Sequence, residues 1–90
     1  MSRAERIEAR LREALGAEHV EVVDESHRHA GHAGARDGRG HFAVTVIAPA
    51  FAGRGLLERH RMVYDALGTL MQTDIHALSI RALAPGETGA

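Results

Sequence analysis

At 90 residues the chain is expected to form one domain spanning 1–90, close to the lower limit of what a single hydrophobic core sustains. Hydrophobic residues supply 44% of it, aromatics only 3%, and cysteine is absent, which excludes disulfides, a thiolate nucleophile and a metal site built on the chain's own sulfur. The formal net charge of −1, with arginine in place of every lysine, lacks the global positive charge of a nucleic-acid binder and leaves only a local basic patch open.

Ser2-Arg-Ala-Glu5 fits a capping box, the Ser2 hydroxyl accepting from the Glu5 amide while the Glu5 carboxylate reaches back. Ala4, Ile7, Leu11, Ala14 and Leu15 follow at helical spacing, and Gly16 is a natural stop, so the first helix is bounded by these signals. Glu8 and Arg12 lie one turn apart in the favourable order. "HVEVVDE" (His19–Glu25) and "HFAVTVIA" (His41–Ala48) alternate, with Val20 and Val22 on one face of the first and Phe42, Val44 and Val46 on one face of the second. Both read as strands with one buried face. The segment 26–40 between them is long for a hairpin connection and is expected to be a flexible loop.

Pro49 ends the second strand. After "AFAGRG" a second helix is expected from Leu56 to Met71, with its stripe at Leu56, His60, Val63, Leu67 and Leu70. "TDIH" reads as a short turn in which Asp74 caps a helical fragment. "ALSIRAL" closes the chain as a strand with Leu78, Ile80 and Ala82 on one face, and the tail 85–90 is expected to fray. The order helix, strand, strand, helix, short helix, strand implies an α+β domain. A hairpin followed by a helical crossover gives a three-stranded mixed sheet with helices on one face. No apolar run approaches the ~18 residues of a spanning helix, and the charged N-terminus lacks the apolar core of a secretory signal. The expected location is the cytoplasm.

Seven histidines are the chemically active residues of such a chain. His27, His29 and His32 lie in the Gly-rich stretch "SHRHAGHAG". Imidazoles suit several transition metals, but a stable site needs three or four ligands held in fixed geometry, so taken alone these three read as a solvated loop. His76, beside apolar Ile75 and Leu78, reads alone as a histidine packed at a strand end. His60 falls on the apolar stripe of the second helix and is expected to be buried or half-buried with a backbone or side-chain hydrogen-bond partner. Arg54, Arg59 and Arg61 make a basic edge around the start of that helix. They read either as solvated arginines paired with Glu58 and Asp65, or as contacts for phosphate or carboxylate, where the guanidinium fork binds bidentately. Asp24, Ser26 and a nearby histidine suggest a hydrolase triad only superficially, because neighbours at a strand end rarely converge as a triad must. They are expected to end the strand and hold the start of the loop. No catalysis is expected.

"VVDESHRH", "HFAVTVIAPAFAG", "RHRMVYDAL" and "IHALSI" follow one another in the order and spacing of the BolA family, so the chain from Ile7 to Pro85 resembles that family. The resemblance implies a KH-like fold of the second type. It also implies a non-enzymatic adaptor that pairs with a monothiol glutaredoxin and co-ligates a [2Fe-2S] cluster with it and its glutathione, in iron–sulfur trafficking or iron regulation. The ligands it implies are His76, from "IHAL", and His29 in the first strand–strand loop, with His32 and His27 as alternates. Other family members resemble DNA-binding transcriptional regulators of stress and cell shape; the Arg54, Arg59 and Arg61 edge is the candidate contact for nucleic acid or for the carboxylates of glutathione. No cluster is expected on the isolated chain, which is expected to be a monomer or weak homodimer. "GRG" at Gly53–Gly55 lacks the Gly-x-x-Gly spacing of nucleic-acid-binding KH loops, which weakens an RNA-binding reading.

Overall fold

The computed structural model describes residues 1–26 and 39–87. Along the chain run α1 (Arg3–Leu15), β1 (His19–Asp24), β2 (Gly40–Ile47), a single 3-10 turn (Pro49–Phe51), α2 (Leu56–Leu67), a short helix α3 (Leu70–Thr73) and β3 (Ile75–Leu83). The sheet order is β1-β2-β3, with β1 antiparallel to β2 and β3 parallel to it. A parallel neighbour needs a crossover, and the segment from the 3-10 turn to α3 supplies it. The expected α+β architecture with its mixed sheet is present.

Local chemistry explains α1. Glu5 N–H donates to Ser2 Oγ at 3.1 Å, Ser2 N–H donates to Glu5 Oε1 at 2.9 Å, and Arg12 Nε reaches Glu8 Oε2 at 2.9 Å one turn on. Gly16 closes the helix at φ +62°, a left-handed conformation that glycine adopts without Cβ strain, and its N–H donates to Arg12 O. Ile7 and Leu11 from α1 and Val63, Ala66 and Leu67 from α2 pack on Val20, Phe42, Val44, Val46 and Ala82 of the sheet. Both helices therefore cover one face, and no polar or charged residue among those described is buried in the core. A fully buried aliphatic or aromatic side chain contributes roughly 1.5–3 kcal/mol. No helix among the described residues is long and apolar enough to cross a membrane.

Two expectations change. The second helix stops at Leu67 rather than Met71, because Gly68 at φ +55° leaves helical space, and α3 restarts as a separate turn. Leu56, placed on the apolar stripe by periodicity, is 71% exposed; Phe51, in the 3-10 turn just before the helix, is the residue fully buried there. Asp74 caps the short helix as expected, at its C-terminal end, and its carboxylate accepts from Arg6 Nη2 at 2.6 Å with Arg3 Nε at 3.4 Å. That ionic cluster ties the first turn of α1 to the beginning of β3.

Candidate metal-ligand edge and arginine edge

The last strand begins at Ile75, so His76 lies within it rather than ahead of it. Register makes His76 special. Gly40 pairs with Ile75 and His41 with Ala77, which leaves His76 as the extra residue of a bulge. Ile75 is buried and Leu78 half-buried, while His76 and Ala77 between them are exposed. An inserted residue resets the alternation by one, so that two apolar residues three apart both face the core while the histidine is turned outward. Bulges re-aim side chains in this way.

The strand start is held firmly around it. Gly40 N–H donates to Asp74 O at 2.9 Å, and His41 N–H donates to Ser26 Oγ at 3.1 Å. The His41 and His76 rings lie 5.3 Å apart, centroid to centroid, tilted by 49°. Arg39 Nη2 stands 3.4 Å from His76 Nδ1; the guanidinium can only donate, and Nδ1 accepts in the tautomer that leaves it unprotonated. Ser26 N–H donates to Asp24 Oδ1 at 2.9 Å, so Asp24 and Ser26 close the end of the strand. His27, His29 and His32 lie outside the described residues. Among those described, no group of three or more histidine, aspartate or glutamate side chains is placed to hold a metal ion.

The arginine edge is largely satisfied from within. Arg54 Nη1 pairs with Glu58 Oε2 at 2.7 Å. Arg59 makes a two-pronged contact with Glu87, Nη1 to Oε1 at 2.6 Å and Nη2 to Oε2 at 2.9 Å. It also donates from Nε to Arg54 O at 2.9 Å and from Nη1 to Ala82 O at 3.0 Å, with its guanidinium carbon 6.0 Å from the centre of the Phe51 ring. Glu87 Oε1 further accepts from Ala84 N–H at 2.8 Å. The Arg59 fork and then the Ala84 amide hold the Glu87 carboxyl well below the usual carboxylate range, at about 2. Glu87 is thus tied into the fold, whereas the tail was expected to fray from Pro85; residues 88–90 lie outside the description. Arg61 is exposed and makes no ion pair among the described residues. His60 is half-buried as expected, but its Nε2 is buried without the hydrogen-bond partner the sequence reading gave it, among the described residues.

Sequence reading missed His41, Arg39 and Glu87. Only the first had a local signal. "IHAL" spaces two apolar residues three apart inside a strand, the mark of an inserted residue, and that insertion sets His76 beside His41. The Arg59–Glu87 pair joins residues 28 apart and has no periodic signature.

The family model for BolA-like proteins matches residues 11–87 of this chain. The chain is 43% identical over 76 residues to the DNA-binding transcriptional regulator BolA of Escherichia coli, covering 84% of this chain and 70% of that protein. It is 42% identical over 91 residues to SufE-like protein 1, chloroplastic/mitochondrial, of Arabidopsis thaliana, covering 96% of this chain but only 24% of the plant protein's length. The solved BolA domain of SufE1 from Arabidopsis thaliana superimposes with a TM-score of 0.84 at 39% identity, over 98% of both chains.

Proposed function

The chain belongs to the BolA-like protein family, and on that premise we propose that it is a non-enzymatic adaptor that binds a monothiol glutaredoxin and lends histidine ligands to a shared [2Fe-2S] cluster. The observation that supports this most is the bulge that turns His76 outward, with His41 beside it, on a strand start fixed by Asp74, Gly40 and Ser26. A chain without cysteine has no thiolate to contribute, and two histidines can replace two thiolates on one iron of such a cluster. The thiolates then come from the partner and its glutathione. His29 is the second ligand in this reading, with His32 and His27 as alternates.

The residues present fit that role. His76 is exposed on a rigid element, so its imidazole reaches an external partner without deforming the core. Arg39 Nη2 lies 3.4 Å from His76 Nδ1, so a metal ligated at that nitrogen requires Arg39 to withdraw. When bound, the cluster supplies electron-transfer chemistry and a transferable iron–sulfur unit.

The test mixes the chain with a monothiol glutaredoxin, glutathione, ferrous iron and sulfide under anaerobic conditions, and follows visible absorption, circular dichroism and co-elution. A spectrum distinct from that of glutaredoxin alone, eluting with the heterodimer, is expected. His76→Ala should remove it while the far-ultraviolet spectrum is unchanged. An identical visible spectrum in His76→Ala would sink the ligand assignment.

A second reading follows from the relative in Escherichia coli, whose name describes a DNA-binding transcriptional regulator. In this chain it would run on Arg54, Arg59 and Arg61. It ranks second because two of the three already hold internal carboxylates.

A further inference from the structure

We propose that Arg59 and the Ala84 amide form a carboxylate-binding site that the chain's own Glu87 keeps filled, and that an acidic side chain on an apolar segment of a partner protein takes Glu87's place. The site is built independently of its occupant. Arg59 is anchored by donation to two backbone carbonyls, Arg54 O and Ala82 O, and its guanidinium stands over Phe51. The Arg59 side chain is only 12% exposed, against 41% for Glu87. A fixed, nearly buried cation with a peripheral anion is the arrangement of a receptor and a ligand.

The chemistry of the occupant is read from Glu87 itself. Both of its oxygens are used, one by Nη2 of Arg59, the other by Nη1 and by Ala84 N–H. Planar, two-oxygen recognition of this kind suits a carboxylate. The surroundings add the apolar requirement. Leu56 and Leu57, in the first turn of α2, are 71% and 66% exposed, and Leu56 precedes Arg59 by three residues, so the two share a helix face. Glu87 is tethered three residues beyond Ala84, and short tethers correspond to effective concentrations on the order of millimolar. A free carboxylate ion therefore competes poorly, whereas a segment that also covers the leucines gains contacts that Glu87 lacks.

The experiment uses the full chain, without metal or glutaredoxin, so its outcome is independent of the His76 assignment. Nuclear magnetic resonance would follow the Ala84 amide and the Arg59 Nε–H during titration with a blocked Leu-Glu-Leu peptide, a blocked Leu-Gln-Leu peptide, sodium acetate and a short DNA duplex. In Glu87→Gln both signals should move saturably with Leu-Glu-Leu, at least about tenfold more tightly than in the wild type given the lost tether. Acetate should bind more weakly than that peptide, and Leu-Gln-Leu should have no effect. Glu87→Asp keeps the charge but shortens the arm, and should give intermediate affinity; it carries the test if Glu87→Gln does not fold. A folded Glu87→Gln or Glu87→Asp chain with no saturable response to Leu-Glu-Leu would overturn the proposal and leave the pair as a clip for the chain end. Tighter binding of the duplex than of the peptide would overturn the choice of carboxylate.

Discussion

A single residue, Glu87, converts the end of the described chain from loose tail into part of the fold, and it does so through charge. Its carboxyl titrates at about 2, pulled down by Arg59 and then by the Ala84 amide. A depressed carboxylate stabilises the folded state fully above its unfolded value, near 4.5, and the contribution disappears as pH falls through the folded value. Asp74, by Thr73 and then Arg6, and Glu5, by the Ser2 amide and then its hydroxyl, are lowered in the same direction, so acid unfolding of the wild type reports all of these groups. The difference between wild type and Glu87→Gln isolates one of them. Melting curves should show the variant less stable by a constant amount above pH 4.5, with the gap closing between about 4.5 and about 2. A gap independent of pH down to 2 would mean that the carboxylate's charge contributes nothing.

At the scale of elements, the junction of β2 and β3 carries the most constraint. A Cβ on Gly40 would stand 2.8 Å from Phe42 Cε2 and closer still to Ser26 Oγ. The first is a core ring, the second the acceptor of His41 N–H, and neither yields cheaply. Gly40→Ala should therefore cost about 1–3 kcal/mol, the usual cost of overpacking. It should also disturb the His76 ring, because the bulge lies between Gly40 and His41. A urea midpoint equal to that of wild type would refute the steric argument. The same junction marks the limit of what the sequence could reveal. Period-2 alternation identified β2, and the capping box and Gly16 bounded α1, because those signals are local and redundant. The helix after Gly55 was overextended because its stripe continues in phase through Leu70, while the break depends on the backbone of one glycine. His76 was visible as a candidate through family spacing, but its outward turn follows from a register shift that only the paired strand defines. The loop histidines, His27, His29 and His32, stand outside the described residues, and so the second ligand rests on the resemblance alone.

For the molecule as a whole, the question is whether its arginines act as an electrostatic surface. Net charge is −1, and the edge that composition singled out holds Arg54 on Glu58 and Arg59 on Glu87. Each phosphate contact that releases condensed counterions from duplex DNA adds roughly −0.9 to the slope of log K against log salt. Three available arginines would give a slope of about −3, whereas Arg61 alone would give about −1. The internal pairs are the reason to expect the shallower value, since a phosphate must displace a carboxylate before Arg54 or Arg59 can neutralise it. Fluorescence anisotropy with a labelled duplex across a salt series should therefore give weak binding with a slope near −1 in the wild type. The double variant Glu58→Gln, Glu87→Gln frees both arginines and should steepen the slope toward −3 at unchanged fold. A wild-type slope already near −3 would show that DNA opens the pairs without help, and the DNA-binding reading would then move ahead of the adaptor reading for this edge of the molecule.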